Sequence, residues 1–169
     1  AYADGALPIG FDQTISQPMM VAEICQSVML SGQERLLEIG TGSGYSAAVL
    51  ARLCKEVISI ERIPELTERA RATLAGLEID NATCITADGS RGWPESAPYD
   101  AIAVHAGAPY APPGLIDQLA VEGRLVIPIS SDGSEILTRI TIGSGGVQRA
   151  EQLGACRFVP LIGEAAYEE

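Results

Sequence analysis

Residues 36–45 read LLEIGTGSGY, and this stretch decides the fold. Its first four residues predict a short strand, and the residues from Tyr45 onward predict a helix. Between them lie Gly40, Gly42 and Gly44, where the backbone must turn sharply and can approach a ligand closely. A dinucleotide-binding loop has the spacing Gly-x-Gly-x-x-Gly, whereas this one reads Gly-x-Gly-x-Gly. The loop is therefore typical of a nucleoside ligand that carries no pyrophosphate.

Strands and helices alternate on both sides of this loop. Apolar runs predict the other strands at residues 57–60, 82–86, 99–104, 124–129, 135–142 and 147–159. The first helix has Ser16 as its N-cap, Pro18 in its first turn and Gly32 at its end, and further helices follow at residues 45–53, 64–77 and 113–119. This alternation predicts an α/β fold: a Rossmann-like, doubly wound, mostly parallel seven-stranded sheet with an antiparallel C-terminal part. Residues 1–169 are expected to form a single domain, in which residues 1–17 are an extended arm.

The composition argues against several classes of partner. The chain has 22 acidic and 11 basic side chains, a net charge of −11, which disfavours nucleic acid because phosphate binding needs a basic surface. No apolar run reaches the roughly 20 residues of a membrane-spanning helix, so we expect no membrane partner. The four cysteines are widely spaced and predict reduced, mostly buried thiols in a cytoplasmic protein without a metal site.

Two acidic residues follow the next two predicted strands. Glu61 ends the second strand, 21 positions after Gly40, where an acid accepts hydrogen bonds from ribose hydroxyls. Asp88 and Gly89 follow the third, where a carboxylate and a backbone N–H can bind a base. Taken singly, Glu61 could be a solvated strand end and Asp88 a turn former. Because all three features lie at the carboxyl ends of successive strands, together they predict a nucleoside-type cofactor.

Longer motifs resemble a known family. Residues 38–45 resemble the first motif of class I S-adenosylmethionine methyltransferases. A narrower resemblance, to the protein-L-isoaspartate O-methyltransferases, is carried by LPIG at residues 7–10, QTISQP at 13–18, GWP at 92–94, GRLVIP at 123–128 and RFVPL at 157–161. These matches extend over nearly the whole chain, and the most specific are the N-terminal arm and the RFVP stretch.

The resemblance implies a cofactor, a substrate and the residues that hold them. The cofactor is S-adenosyl-L-methionine, which leaves as S-adenosyl-L-homocysteine, and the acceptor is the α-carboxylate of an L-isoaspartyl residue in a damaged protein or peptide. Ser16 is the implied catalytic residue, beside that carboxylate. The implied cofactor-binding residues are Glu38, Gly40, Thr41, Gly42, Gly44, Glu61, Arg62, Asp88 and Gly89. The implied substrate-binding residues are Thr14, Ser16, Gln17, His105, Arg157, Phe158 and Val159.

The chemistry suits a chain with a single histidine. A carboxyl group with a pKa near 4 is already ionised at neutral pH, so its attack on a methyl group needs no general base. Alignment of the nucleophile with the methyl donor can supply up to ~7–11 kcal/mol of the barrier reduction. A neutral hydroxyl such as that of Ser16 can orient the carboxylate without quenching it. From the residues alone, however, the pattern favours a helix cap for Ser16 and a polar loop residue for His105, and Arg157 could be a strand-edge charge.

Departures from the family pattern leave alternatives open. Asp12 stands where the family usually has glycine, His105 where threonine is usual, and Gly107 interrupts a run of alanines. The family normally has a helical segment before the arm, and we expect that segment to be missing here. A peptide-tailoring methyltransferase acting on an ordinary aspartate, and an inactive cofactor-binding domain of a larger protein, are the alternative functions. A monomer is expected rather than an oligomer.

Overall fold

A computed structural model describes residues 4–131 and 133–168. The strands are β1 (Leu7–Gly10), β2 (Gln13–Ile15), β3 (Arg35–Ile39), β4 (Glu56–Glu61), β5 (Ala82–Thr86), β6 (Tyr99–Val104), β7 (Leu119–Ser131), β8 (Ser134–Ile142) and β9 (Gln148–Cys156). The helices are α1 (Pro18–Ser27), α2 (Tyr45–Ala51), α3 (Pro64–Gly76) and α4 (Pro113–Asp117), with short 3-10 turns at Gly89–Arg91 and Pro94–Ser96. None of the helices in this part of the chain is long and apolar enough to cross a membrane.

Seven strands form one sheet in the order β5-β4-β3-β6-β7-β8-β9. The pairs from β5 to β7 are parallel, and β8 and β9 add antiparallel strands at one edge. This confirms the predicted Rossmann-like, mostly parallel seven-stranded sheet with its antiparallel end. The chain order reverses direction between β3 and β6, and open α/β sheets bind ligands at such a switch point, at the carboxyl ends of the strands.

The central strands are largely apolar because both of their faces are covered; the buried Glu38 in β3 is an exception. Leu37 and Ile102 belong to the apolar cluster on one side of the sheet, whereas Leu36 and Ala101 belong to the cluster on the other. All four side chains are fully buried. Alternate residues of a strand point to opposite faces, so a strand between two layers needs a nearly continuous apolar run. That property made β3 and β6 recognisable in the sequence.

The N-terminal region differs from its prediction in three places. Helix α1 is capped by Gln17, not Ser16, and no side-chain capping hydrogen bond is formed. The helix ends at Ser27 instead of Gly32, since Met29 adopts a positive φ of 50° that no helix can continue. The predicted extended arm contains a hairpin of β1 and β2, whose turn places Phe11 and Asp12 at φ of 55° and 56°. Asp tolerates this left-handed backbone better than most residues, which accounts for Asp12 at a position where glycine is usual.

Candidate functional site

The glycine loop after β3 forms the floor of a cleft at the carboxyl ends of the strands. Gly40, Gly42 and Gly44 have φ of 93°, 53° and 82°, values that favour glycine. The Gly40 N–H donates to the carbonyl of Ile60 at 2.9 Å, and the Gly44 N–H donates to the carbonyl of Thr41 at 2.9 Å. The loop is thereby fixed to β4 and folded tightly enough for a ligand to contact its backbone.

Glu61, at the end of β4, is a fixed acceptor in this cleft. One of its carboxylate oxygens accepts from the Gly42 N–H at 2.9 Å, and the other accepts from the Ile63 N–H at 3.0 Å. The residue is only 7% exposed. Because each carboxylate oxygen can accept more than one hydrogen bond, both retain capacity for ligand hydroxyls.

The β1–β2 hairpin covers the loop and forms a wall that the sequence patterns did not reveal. The Arg69 guanidinium donates to the carbonyl of Ile9 at 2.8 Å and so ties the hairpin to α3. A Cβ atom on Gly42 would lie 3.2 Å from Cδ1 of Ile9, which shows how closely hairpin and loop pack. A hairpin turn formed by Phe11 and Asp12 lacks the Asn-Gly or Asp-Gly signature by which such turns are recognised.

The first cleft has a volume of about 770 Å³, open mouth included. Ten of the predicted site residues line it: Thr14, Ser16, Gly40, Thr41, Gly42, Glu61, Arg62, Gly89, His105 and Val159. Pro160, which the family resemblance places in the peptide groove, lines this cleft as well. The lining residues that the sequence patterns missed are Ile9, Gln13, Ile15, Val21, Ile39, Ser43, Tyr45, Ser46, Ile60, Ala106, Leu161 and Ile162. Glu61 and Arg62 carry the formal charges of the described lining, which leaves no cluster of cations suited to a pyrophosphate.

Glu38 lies beneath the loop and does not line the cleft. It is completely buried, and the Ser59 hydroxyl donates to its Oε2 at 2.5 Å. Nε2 of His105 lies 3.4 Å from its Oε1 and 2.8 Å from the hydroxyl of Ser46. Burial raises the pKa of Glu38 to about 7 and lowers the pKa of His105 to about 4. The two groups are therefore not a permanent ion pair at neutral pH.

Asp88 also points away from the first cleft, although its neighbour Gly89 lines it. Its Oδ1 accepts from the backbone N–H and the hydroxyl of Ser90, at 2.9 Å and 2.7 Å, and its Oδ2 accepts from the Glu164 N–H at 2.9 Å. Burial favours the neutral acid, but these hydrogen bonds prevail and lower the pKa of Asp88. The carboxylate thus joins the end of β5 to the C-terminal turn. Gly44, at the start of α2, is the third predicted cofactor residue outside the lining.

A second cleft of about 590 Å³ adjoins the first. It is lined by Ala6, Thr14, Ser16, Gln17, Met20, His105, Ala155, Cys156, Arg157, Phe158 and Val159, so all of the predicted substrate-binding residues line it. Four residues line both clefts, and we call them the window: Thr14, Ser16, His105 and Val159. Within residues 4–131 and 133–168, no hydrogen bond is found for the Ser16 hydroxyl, and no partner for the exposed Arg157 guanidinium. Since His105 is neutral at neutral pH, Arg157 supplies the formal charge of this described lining.

Comparison with known proteins identifies the family. A family model described as Protein-L-isoaspartate(D-aspartate) O-methyltransferase matches residues 1–166. The chain belongs to the protein-L-isoaspartate O-methyltransferase family. The protein-L-isoaspartate O-methyltransferase 1 of Rhodopseudomonas palustris is 54% identical over 168 residues, 99% of this chain and 69% of that protein. The protein-L-isoaspartate O-methyltransferase 1 of an Anaeromyxobacter species is 52% identical over 165 residues, 96% of this chain and 78% of that protein.

Solved structures of protein-L-isoaspartate O-methyltransferases have the same fold. One is 29% identical with a TM-score of 0.88, and the match covers 98% of this chain but 55% of that one, so this chain spans about half of it. Another, a putative enzyme of the family from Plasmodium falciparum in complex with S-adenosyl-L-homocysteine, is 29% identical with a TM-score of 0.78. That match covers 95% of this chain and 81% of the other. The family resemblance inferred from the sequence motifs is therefore confirmed.

Proposed function

We propose that the first cleft binds S-adenosyl-L-methionine, the second binds a peptide segment with an L-isoaspartyl residue, and the methyl group passes through the window. The family consists of carboxyl methyltransferases that use S-adenosylmethionine, and this chain is an enzyme of that class. Its activity is methylation of isoaspartyl residues in damaged proteins, a protein-repair reaction. We propose the following roles for individual residues of the two clefts.

The residues of the first cleft fit the cofactor. The glycine loop leaves backbone accessible, and Glu61 holds two carboxylate oxygens in place with capacity for the ribose hydroxyls. The described lining has no cation cluster, which suits a nucleoside without phosphate. When bound, the cofactor supplies a methyl group activated by the positive charge of its sulfonium. In this proposal Gly40, Thr41, Gly42 and Gly89 contact it directly, whereas Glu38, Gly44 and Asp88 support the walls from behind.

The observation that carries the proposal is the window between two adjoining clefts that differ in charge. The first cleft is lined by one acid and one base, Glu61 and Arg62, whereas the second carries the positive charge of Arg157. A carboxylate acceptor is repelled by a chain of net charge −11, so its binding requires a local cation in the second cleft. The Ser16 hydroxyl stands between the clefts with no intramolecular partner among the described residues, and in the proposal it donates to the acceptor carboxylate.

The described window contains no strong base, and the reaction needs none. The acceptor carboxylate is ionised at neutral pH, and the pKa of His105, lowered by burial to about 4, makes its imidazole a poor proton acceptor. In this proposal Gln17, Phe158 and Val159 hold the peptide while the hydroxyl of Ser16 orients the nucleophilic oxygen. Catalysis then consists mainly of aligning the acceptor carboxylate with the methyl group of the cofactor at the window. Such alignment lowers the activation barrier through proximity.

A pair of matched peptides tests the proposed function. The two peptides have the same sequence and differ in one residue, L-isoaspartyl in one and L-aspartyl in the other; methyl ester formation is followed by mass spectrometry. We expect esterification of the isoaspartyl peptide with S-adenosylmethionine present and none of the aspartyl peptide. Esterification of the aspartyl peptide alone would make the chain a peptide-tailoring enzyme. Binding of S-adenosyl-L-homocysteine in calorimetry without any turnover would make it an inactive cofactor-binding domain.

We further propose that residues 1–169 act as a single domain, as a monomer, in the cytoplasm and without nucleic-acid or membrane partners. All four cysteines are free thiols, and three of them are buried, as is usual in a reducing compartment. The strong negative charge argues against a phosphate-rich partner. Size-exclusion chromatography with light scattering tests whether the protein is a monomer, because a dimer would show twice the molecular mass of the chain.

A further inference from the structure

We infer that Glu135 and Gly107 form a coupled pair that positions residues 157–160, the RFVP segment, in the second cleft. The inference rests on the proposed function, in which that segment holds the peptide. Neither residue lines a cleft, and neither belongs to the predicted site. They act on the segment from behind, and each depends on the other.

The RFVP segment leaves the sheet at the end of β9 and needs new partners there. Glu135 pairs with Cys156 as the last residue of the β8–β9 ladder. Beyond it, the Phe158 N–H donates to Oε2 of Glu135 at 2.6 Å. A carboxylate that accepts from a backbone N–H forms a charge-assisted hydrogen bond, which is stronger than a neutral one. This bond explains why β9 ends at Cys156, three residues before the predicted end.

Gly107, in the loop after β6, holds the other half of the segment. Its N–H donates to the carbonyl of Val159 at 2.8 Å, and its carbonyl accepts from the Leu161 N–H at 2.7 Å. Gly107 pairs in parallel with Pro160, which has no N–H to offer. The segment is thus fixed on both sides of Pro160 by one glycine.

The two anchors are compatible only because residue 107 has no side chain. The three atoms nearest to a Cβ on Gly107 would all belong to the Glu135 carboxyl group, with Oε1 in collision and Cδ at 2.8 Å. Any side chain at this position must displace the carboxylate or the RFVP segment. The family usually has alanine at this position. Glycine at residue 107 therefore leaves the space that the Glu135 carboxylate occupies.

The pair matters for the reaction because of what it positions. Val159 belongs to the window, and Phe158 and Arg157 line the second cleft. A shift of about 1 Å in groups that position a reactant can cost on the order of a hundredfold in rate. Glu135 and Gly107 are accordingly positioning residues for the acceptor peptide. Val159 and Pro160 also border the first cleft, but the glycine loop and Glu61, which hold the cofactor in the proposal, lie at the ends of other strands.

A double-mutant cycle with the full chain tests this inference. Glu135→Ala removes a hydrogen bond to a charged group, so we expect the KM for the isoaspartyl peptide to rise roughly ten- to a hundredfold. Gly107→Ala should raise that KM comparably in the wild-type background and add nothing in the Glu135→Ala background, where its collision partner is gone. Glu135→Gln keeps an acceptor oxygen and should recover most of the loss. The affinity for S-adenosyl-L-homocysteine should stay within about twofold in every variant.

Two control variants separate positioning from general damage. Gly154→Ala adds a methyl group in β9 where nothing lies within 4 Å, and Glu151→Ala removes from the same strand an exposed carboxylate whose ion-pair partner is Arg139, outside the RFVP segment. Both should retain the wild-type KM. Wild-type KM values in Glu135→Ala and Gly107→Ala, or additive effects in the double variant, would overturn the inference, as would an equal loss of cofactor-product affinity.

Amide hydrogen exchange gives a readout that does not depend on turnover. The Phe158 amide should be protected in the wild type, exchange at least tenfold faster in Glu135→Ala, and stay protected in Gly154→Ala. A wild type that methylates no isoaspartyl peptide but shows this pattern would contradict the proposed function while leaving the coupled pair intact. Unchanged exchange at Phe158 in Glu135→Ala would refute the pair even in an active enzyme.

Discussion

At the scale of single residues, Ser16 shows how a structure chooses between two interpretations of one side chain. Its hydroxyl could cap α1, but the cap is Gln17 and no side-chain capping bond is formed. The hydroxyl is left in the window, where it lines both clefts. Because the Ser16 hydroxyl forms no hydrogen bond with the described residues, it is available to bind the substrate.

Ser16→Ala should therefore lower kcat for the isoaspartyl peptide about ten- to a hundredfold, the loss expected for one hydrogen bond to a charged group. The affinity for S-adenosyl-L-homocysteine, measured by calorimetry, should change less than about twofold. Ser134→Ala, which truncates an exposed serine at the start of β8, is the matched control and should leave both values unchanged. A large loss of affinity with turnover intact would contradict the acceptor role.

Arg157 supports a second residue-scale prediction. Arg157→Gln removes the positive charge of the second cleft, so the KM for the isoaspartyl peptide should rise about tenfold at low salt and depend less on ionic strength. Arg149→Gln removes an exposed arginine from β9 outside both clefts and should change neither quantity. Steady-state kinetics at two salt concentrations measure this KM and its salt dependence. An identical salt dependence in the wild type and Arg157→Gln would contradict a role of Arg157 in attracting the peptide carboxylate.

At the scale of elements, hairpin and glycine loop form one unit. Gly42→Ala places a side chain on a residue with φ of 53°, 3.2 Å from Ile9, and a left-handed backbone costs a non-glycine residue about 1–2 kcal/mol. We expect the calorimetric Kd for S-adenosyl-L-homocysteine to rise about tenfold. Gly76→Ala, at the end of α3 with nothing within 4 Å of the new methyl group, should leave that Kd unchanged. Equal affinity in Gly42→Ala and Gly76→Ala would show that the hairpin packing does not shape the cleft.

The elements also show what the sequence patterns can and cannot predict. The sheet was predictable because β3 and β6 are buried on both faces and are therefore largely apolar, with Glu38 and Asp100 as exceptions. The glycine loop and Glu61 were predictable because a ligand at strand ends constrains residue type and spacing together. The hairpin was not, since its turn has no glycine between β1 and β2. The orientation of Asp88 depends on Glu164, and no local pattern encodes a contact across 76 positions.

At the scale of the whole molecule, the buried Glu38–His105 pair links stability to pH in two opposing ways. Burial raises the pKa of Glu38 from 4.5 to about 7, so between these pH values the folded state binds more protons than the unfolded state. Its contribution is fully present below about pH 4.5 and is lost as the pH rises to 7. Burial lowers the pKa of His105 from 6.5 to about 4, so its contribution grows as the pH rises through that range.

Two variants separate these slopes in urea unfolding at pH 5 and pH 8. Glu38→Gln removes the contribution of Glu38, which in the wild type is lost as the pH rises. The free energy of unfolding of this variant relative to the wild type should therefore rise from pH 5 to pH 8 by on the order of 1–3 kcal/mol. His105→Gln removes the contribution of His105, which in the wild type grows as the pH rises. The free energy of unfolding of this variant relative to the wild type should therefore fall over the same interval. Relative free energies that move in the same direction in both variants would contradict the assignment.

The window has a consequence for inhibition. Two ligands that meet at an opening of four side chains can be joined through it by a short covalent tether without leaving their clefts. Once one half of such a bisubstrate molecule is bound, the other half faces its cleft at an effective concentration in the millimolar range or above. An analogue of the cofactor product in which nitrogen replaces the sulfur, and in which this nitrogen carries a tether to a carboxylate-bearing peptide fragment, should therefore bind far more tightly than either half alone.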